Sequence, residues 1–125
     1  MSDQLKAIAD QLVAHCRNHT EAEGLATLYA ADAVSVEPMP MPGTDSREAR
    51  GLEAIKAKHD WWNRTMEVHG GSTSDAFVHG PDRFAVIFEA DATDKTSGQR
   101  MQMKEIGLYT VADGKIVREE FFYTM

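Results

Sequence analysis

The order of periodicities along the chain predicts an α+β domain: three N-terminal helices packed on a strongly bent antiparallel sheet. Three observations carry this expectation. Apolar residues recur at helical spacing in three stretches before residue 66. From Glu67 onward the period shortens to that of strands, and turn signals separate four segments. Finally, 125 residues suit one hydrophobic core, so residues 1–125 are read as a single domain whose halves cover each other.

Leu5, Ile8, Leu12 and Cys16 draw one apolar stripe down a first helix that starts near Ser2 or Asp3 and ends around Asn18. Thr20 and Glu23 have the spacing of a capping box, which starts a second helix carrying Leu25, Leu28 and Tyr29 inward. Ala33 to Glu37 reads as a brief valine-rich strand, and Pro38, Pro40 and Pro42 make the next stretch a rigid loop. Beyond Gly51, the series Leu52, Ile55, His59, Trp62 and Met66 is the most regular helical stripe in the chain.

The strand-like segments are Glu67–His79, Arg83–Thr93, Arg100–Ala112 and Lys115–Thr124, and Asp113-Gly114 is the strongest turn among them. Strand Arg83–Thr93 is apolar on both of its rows, so a second copy of the sheet is the simplest cover for the outer face. A homodimer through that face is therefore expected.

Thirteen Lys plus Arg against twenty Asp plus Glu leave a net charge of -7. Such a field repels phosphate backbones and anionic headgroups, which argues against nucleic acid and membrane partners. The opening residues lack a basic start followed by an apolar run, and no segment is apolar for long enough to span a bilayer, so a cytoplasmic location is expected. A single cysteine, Cys16, offers neither an internal disulfide nor a cysteine metal cluster. His15 and His19 have helical ligand spacing but no third ligand, so no metal and no cofactor are expected.

The informative residues are polar ones that patterning forces onto inward rows. Glu37 closes a strand in an apolar setting, which would raise its pKa and suit it to proton transfer; the alternative is an exposed strand-end glutamate. His59 lies within the apolar stripe of the third helix, as a hydrogen-bonded core residue or a catalyst. Trp62 comes next on the same face, with an indole N–H that Glu37 or a ligand could accept; Glu37, His59 and Trp62 are expected to line one cavity.

On Arg100–Ala112 the apolar side changes rows, which calls for a bulge near Lys104 to Ile106 and leaves open whether Lys104 or Glu105 points inward. On the last strand Val117, Glu119, Phe121 and Tyr123 share a row that reads either as a pocket wall or as part of a solvated edge. Met66, Met101, Met103 and Phe121, with Trp62 and Tyr123, would line the substrate site.

The stretch Leu28-Tyr29-Ala30-Ala31-Asp32-Ala33-Val34-Ser35-Val36-Glu37-Pro38, then Gly51-Leu52-Glu53-Ala54-Ile55, and Val111-Ala112-Asp113-Gly114-Lys115-Ile116-Val117-Arg118-Glu119 resemble the SnoaL-like branch of the NTF2-like superfamily. The resemblance implies a cystatin-like cone, usually dimeric, in a superfamily that includes isomerases, cyclases, dehydratases and non-catalytic ligand binders. It places Glu37 where ketosteroid isomerase has its catalytic carboxylate, and His59 where that enzyme has a tyrosine of its hydrogen-bond network. The chain departs from that enzyme near Val13, where no tyrosine stands, and near Ile106, with Glu105 adjacent.

Together these readings lead to a small-molecule-binding protein using Glu37 for proton transfer on an apolar carbonyl compound, with His59, Tyr123, Glu105 or Glu119 hydrogen-bonding the developing oxyanion. A non-catalytic binding module and a dimeric accessory protein are the alternatives.

Overall fold

The computed structural model describes residues 2–40 and 43–123. The chain runs α1 (Ser2–Arg17), α2 (Glu21–Leu28), β1 (Tyr29–Val36), β2 (Glu48–Arg50), α3 (Leu52–Thr65), β3 (Met66–Thr73), β4 (Phe77–His79), β5 (Arg83–Asp94), β6 (Arg100–Ala112) and β7 (Lys115–Phe122). Pro42 of the expected rigid loop and Thr124, the expected end of the last strand, lie outside the described residues. The expected α+β architecture of three helices on a large sheet is the one observed.

The sheet has seven strands in the order β2-β1-β7-β6-β5-β3, with β4 paired to β5 beside β3. It is mixed rather than wholly antiparallel, because β1 runs parallel to β7. A parallel neighbour needs a long crossover, and the chain between β1 and β7 supplies one through α3 and the meander. Strand β2, three residues with charged ends, has no counterpart in the sequence reading; it pairs antiparallel with β1 and forms one edge. The single segment expected over Glu67–His79 is divided, with Ser74, Asp75 and Ala76 between β3 and β4.

Leu5, Ile8 and Leu12 of α1 pack with Leu25 and Leu28 of α2, Ile55 of α3, and Phe84, Val86, Tyr109 and Ile116 of the sheet. The Thr20 hydroxyl does not close the expected capping box. It turns back to the preceding helix instead, within 2.8 Å of His15 Nδ1. Asp113 and Gly114 both have positive φ, as the tight β6–β7 hairpin requires.

Strand register corrects the sequence reading of the bulge. Pairing of β5 with β6 is continuous from Arg83↔Thr110 to Thr93↔Arg100, so no extra residue sits near Lys104 to Ile106. The irregularity lies between β6 and β7, where Thr110 faces Arg118 but Val111 faces Ile116, leaving Val117 as the extra residue. Ile116, not Val117, therefore enters the core. On the outer face Ile87, Ile106 and Phe122 align across β5, β6 and β7, and Ile106 and Phe122 are exposed.

Two adjacent glycines in β3 differ sharply in surroundings. A Cβ on Gly71 would stand 2.3 Å from the Glu89 carbonyl oxygen, well inside van der Waals contact distance, whereas one on Gly70 would meet nothing within 4 Å. Gly71→Ala is expected to destabilise the chain by about 1–3 kcal/mol through forced separation of β3 from β5, with Gly70→Ala much milder. Urea unfolding of the two variants checks this, and equal effects would contradict it.

Candidate functional site

Parallel pairing sets Ser35 of β1 beside Glu119 of β7, and antiparallel pairing sets Glu119 beside Tyr109 of β6. Tyr109 in turn faces Phe84 of β5, and their rings stack with centroids 4.8 Å apart. A charged residue thus lies in a row that otherwise runs into the apolar core. Glu119 is only 2% exposed. A carboxylate removed from water to that extent needs donors on both oxygens. Tyr29 O–H donates to Oε1, and Ser35 O–H donates to Oε2 at 2.6 Å.

The arrangement continues through α3. Lys58 Nζ donates to Ser35 Oγ at 2.6 Å and to Glu37 Oε2 at 2.5 Å, and it stands 5.1 Å from the centre of the Phe121 ring. Tyr123 O–H donates to the other oxygen of Glu37 at 2.9 Å. The side chains of Lys58 and Glu37 retain 12% and 13% of their exposure, so this end of the network touches solvent where Glu119 does not. Glu37 is neither apolar in its surroundings nor an exposed strand-end residue; it is a partly buried ion-pair partner.

Glu105 completes the cluster. It lies on the β6 row of Met101, Met103, Gly107 and Tyr109, so Glu105 and not Lys104 points inward; Lys104 is exposed. Among the described residues it has no hydrogen-bonding or ion-pair partner. Burial, reinforced by the charges of Glu37 and Glu119 against the opposing Lys58, pushes its carboxyl up to about 7. Burial also raises the Tyr29 and Tyr109 hydroxyls well above their usual range, and burial with the nearby Glu37 charge raises Tyr123. Tyr29 and Tyr123 are therefore neutral donors to their carboxylates.

Of the residues singled out from sequence, Glu37, Glu105, Glu119, Phe121 and Tyr123 come together. Met101 and Met103 continue the Glu105 row toward the β5–β6 hairpin, and Met66 is buried at the end of α3. Trp62 and His59 are half-buried on α3, and among the described residues neither hydrogen-bonds Glu37. The helix sends Lys58 to Glu37 instead. Lys58 and Ser35 escape the sequence reading, although Lys58 falls three residues after Ile55 and four before Trp62, a spacing that puts it on the inward stripe as fairly as His59. Val13 is a buried core residue of α1. Cys16 packs against the core, and burial pushes its thiol up to about 12.

A separate groove of about 370 Å³ lies between α1 and the β3–β4 connection, lined by Val13, Arg17 and Asp75 among others, and none of the acid cluster borders it. Among the described residues no group of His, Cys, Asp and Glu is arranged to hold a metal ion, and no helix is long and apolar enough to cross a membrane.

Helices closing a bent sheet over a buried, lysine-linked acid cluster define a cone-fold protein with a polar interior site. The model of the SnoaL-like domain matches residues 4–123, and the chain belongs to that family. A solved structure from Mesorhizobium loti, described as a SnoaL-like polyketide cyclase and also as a carbohydrate phosphatase, is 38% identical; the match covers 94% of this chain and 97% of that one, with a TM-score of 0.85. A Bacillus subtilis protein described as an isomerase shares the fold at 15% identity and a TM-score of 0.74, covering 98% and 87% of the two chains. A computationally designed 17-OHP binder does so at 20% identity and a TM-score of 0.73, covering 98% and 94%. No curated protein matches the chain.

The Glu105 environment gives stability a pH dependence. In the folded chain its carboxyl keeps its proton up to about 7, against an ordinary value of 4.5. Between those values the folded state binds more protons than the unfolded state, so this group lowers stability as pH rises through that window. Above the window both states are ionised and its contribution stays flat. Glu105→Gln is expected to gain on the wild type across the window by up to about 3 kcal/mol, measured by urea unfolding at a series of pH values. A stability difference independent of pH would contradict the placement of this carboxyl.

Proposed function

We propose that this SnoaL-like chain binds a compact, partly apolar carbonyl compound at the Glu37–Glu105 end of the cone and moves a proton on it without a cofactor. Isomerisation, cyclisation or dehydration fits this chemistry. The observation that carries the reading is the pair of carboxyls in opposite surroundings, one tied to an ammonium and one largely removed from water with no side-chain partner among the described residues. Groups separated in that way can divide base and acid roles.

Glu37 takes the proton alpha to the carbonyl, and protonated Glu105 hydrogen-bonds the oxygen as it becomes an enolate. Tyr123 holds Glu37 in orientation, while Trp62, Met66, Met101, Met103 and Phe121 form the apolar wall. His59 stands on the adjacent position of α3 as a further donor, and Glu119 acts from the floor of the site. The names of the Mesorhizobium loti and Bacillus subtilis proteins, cyclase and isomerase, belong to the same reaction classes and support the choice.

A panel of enolisable and cyclisable ketones, monitored for proton exchange and product formation, provides the assay. Glu37→Gln is expected to reduce turnover by about 10²–10⁴-fold while ligand binding persists. Turnover unchanged by the substitution would overturn the assignment. A non-catalytic binding module is the second reading, favoured by one observation: both oxygens of Glu37 already have partners. Binding without turnover in the wild type, unaffected by Glu37→Gln, would establish it.

The proposed state is a cytoplasmic homodimer joined through the outer sheet face, which the exposed Ile106 and Phe122 support. Introducing charge there, as Ile106→Asp with Phe122→Asp, is expected to convert dimer to folded monomer in light scattering after gel filtration. A wild type that elutes as a monomer would refute the dimer.

A further inference from the structure

Resting on the proton-transfer reading, we propose that Lys58 is the positioning residue of the site, fixed by the buried Glu119 through the Ser35 hydroxyl so that Glu37 is held in one orientation. An ammonium has three N–H groups and no acceptor. Ser35 Oγ and Glu37 Oε2 take two, and the ammonium stands over the face of Phe121, 5.1 Å from its centre. The charge therefore has one place to sit.

Ser35 has one proton, and Glu119 receives it. Its lone pairs are thereby turned to Lys58, so the hydroxyl cannot reverse without leaving a buried carboxylate oxygen unsatisfied. Tyr29 closes the other oxygen of Glu119, and Tyr123 closes the other oxygen of Glu37. Every donor in the series thus has a fixed direction, from Tyr29 at one end to Tyr123 at the other.

The same geometry sets the charges. Lys58 and Glu37 alone would form a neutral pair. With Glu119 one bridge away, one negative charge is left over, and the cation is shared between two carboxylates. The titratable and charged groups facing this cluster are Tyr29 from β1, Glu37 after it, Lys58 from α3, Glu105 and Tyr109 from β6, Glu119 from β7, Tyr123 after it, and Cys16 from α1.

The test uses the whole unliganded chain, so it does not depend on turnover. The Lys58 ammonium is observed by nitrogen NMR, and the Glu105 carboxyl by carbon NMR titration, in wild type, Glu119→Gln, Ser35→Ala and Lys58→Met. In wild type the Lys58 ammonium is expected to exchange at least about tenfold more slowly than the exposed Lys6 and Lys56. Ser35→Ala, which leaves all the charges in place, should abolish that protection.

The Glu105 midpoint should fall in Glu119→Gln, which removes a negative neighbour, and rise in Lys58→Met, which removes the cation. Lys58 exchange as fast as Lys6 in wild type, or protection untouched by Ser35→Ala, would overturn the proposal. If a variant does not fold, the wild-type exchange comparison decides alone. Failure of the proton-transfer reading appears only in the Glu37→Gln turnover assay, so the two failures are distinguishable.

Discussion

A carboxylate sealed from water has to find its donors inside the protein, and Glu119 makes that demand at the centre of this sheet. Removing an ionised carboxyl from solvent is costly by any measure, and the cost is offset only if both oxygens are hydrogen-bonded and the charge has a counterpart. Tyr29 and Ser35 supply the hydrogen bonds, and Lys58 supplies the counterpart at one remove. The donors on β1 are available to Glu119 only because β1 lies parallel beside β7, with Ser35 in register with Glu119. The pairing that departs from the antiparallel meander is thus the pairing that the buried charge requires.

The aromatic and glycine positions of β6 serve the same arrangement. Tyr109 stacks on Phe84 and meets Phe121 edge to face, with ring centroids 6.4 Å apart. Between Tyr109 and Glu105 the inner row holds Gly107, where a Cβ would approach Tyr109, Phe88 and Phe121 to 3.0–3.2 Å. The absent side chain leaves room for three rings, of which Phe121 lies under the cation. Glu105 lies one inward position further along, and among the described residues its carboxyl accepts no hydrogen bond. Two carboxyls on neighbouring elements thereby differ in surroundings: Glu37 is paired with the lysine, and burial raises the carboxyl of Glu105.

Much of this is legible in the chain. Helical stripes and turn signals locate α1, α3 and the long strands, because burial of one face leaves a period that survives in sequence. The inward row of Glu119, Phe121 and Tyr123 is visible for the same reason. The illegible part depends on partners distant in sequence. The three-residue β2 carries no pattern of its own and exists because β1 has an open edge. Apolar Ile106 and Leu108 suggest a bulge on β6, yet Ile106 is apolar toward the outside of the sheet, where it aligns with Phe122. Lys58 escapes notice because a lysine beside apolar residues ordinarily reaches solvent; only a buried carboxylate system, assembled from β1 and β7, turns it inward.

The bulge at Val117 shows why the irregularity belongs where it is. Residues on one face of a regular strand are separated by even numbers, so Ile116 and Glu119 could not both point into the domain. Val117, the extra residue, shifts the alternation between them. Ile116 can then fill the core beneath α1 and α2 while Glu119, three positions on, faces Ser35 and Tyr29. Without it, either the core would lose a fully buried isoleucine or Glu119 would turn to the outer face. In the second case Lys58 and Glu37 would be left as an ordinary ion pair, with no buried carboxylate behind Ser35 to fix the lysine. One inserted residue thus joins the apolar half of the cone to its ionised half.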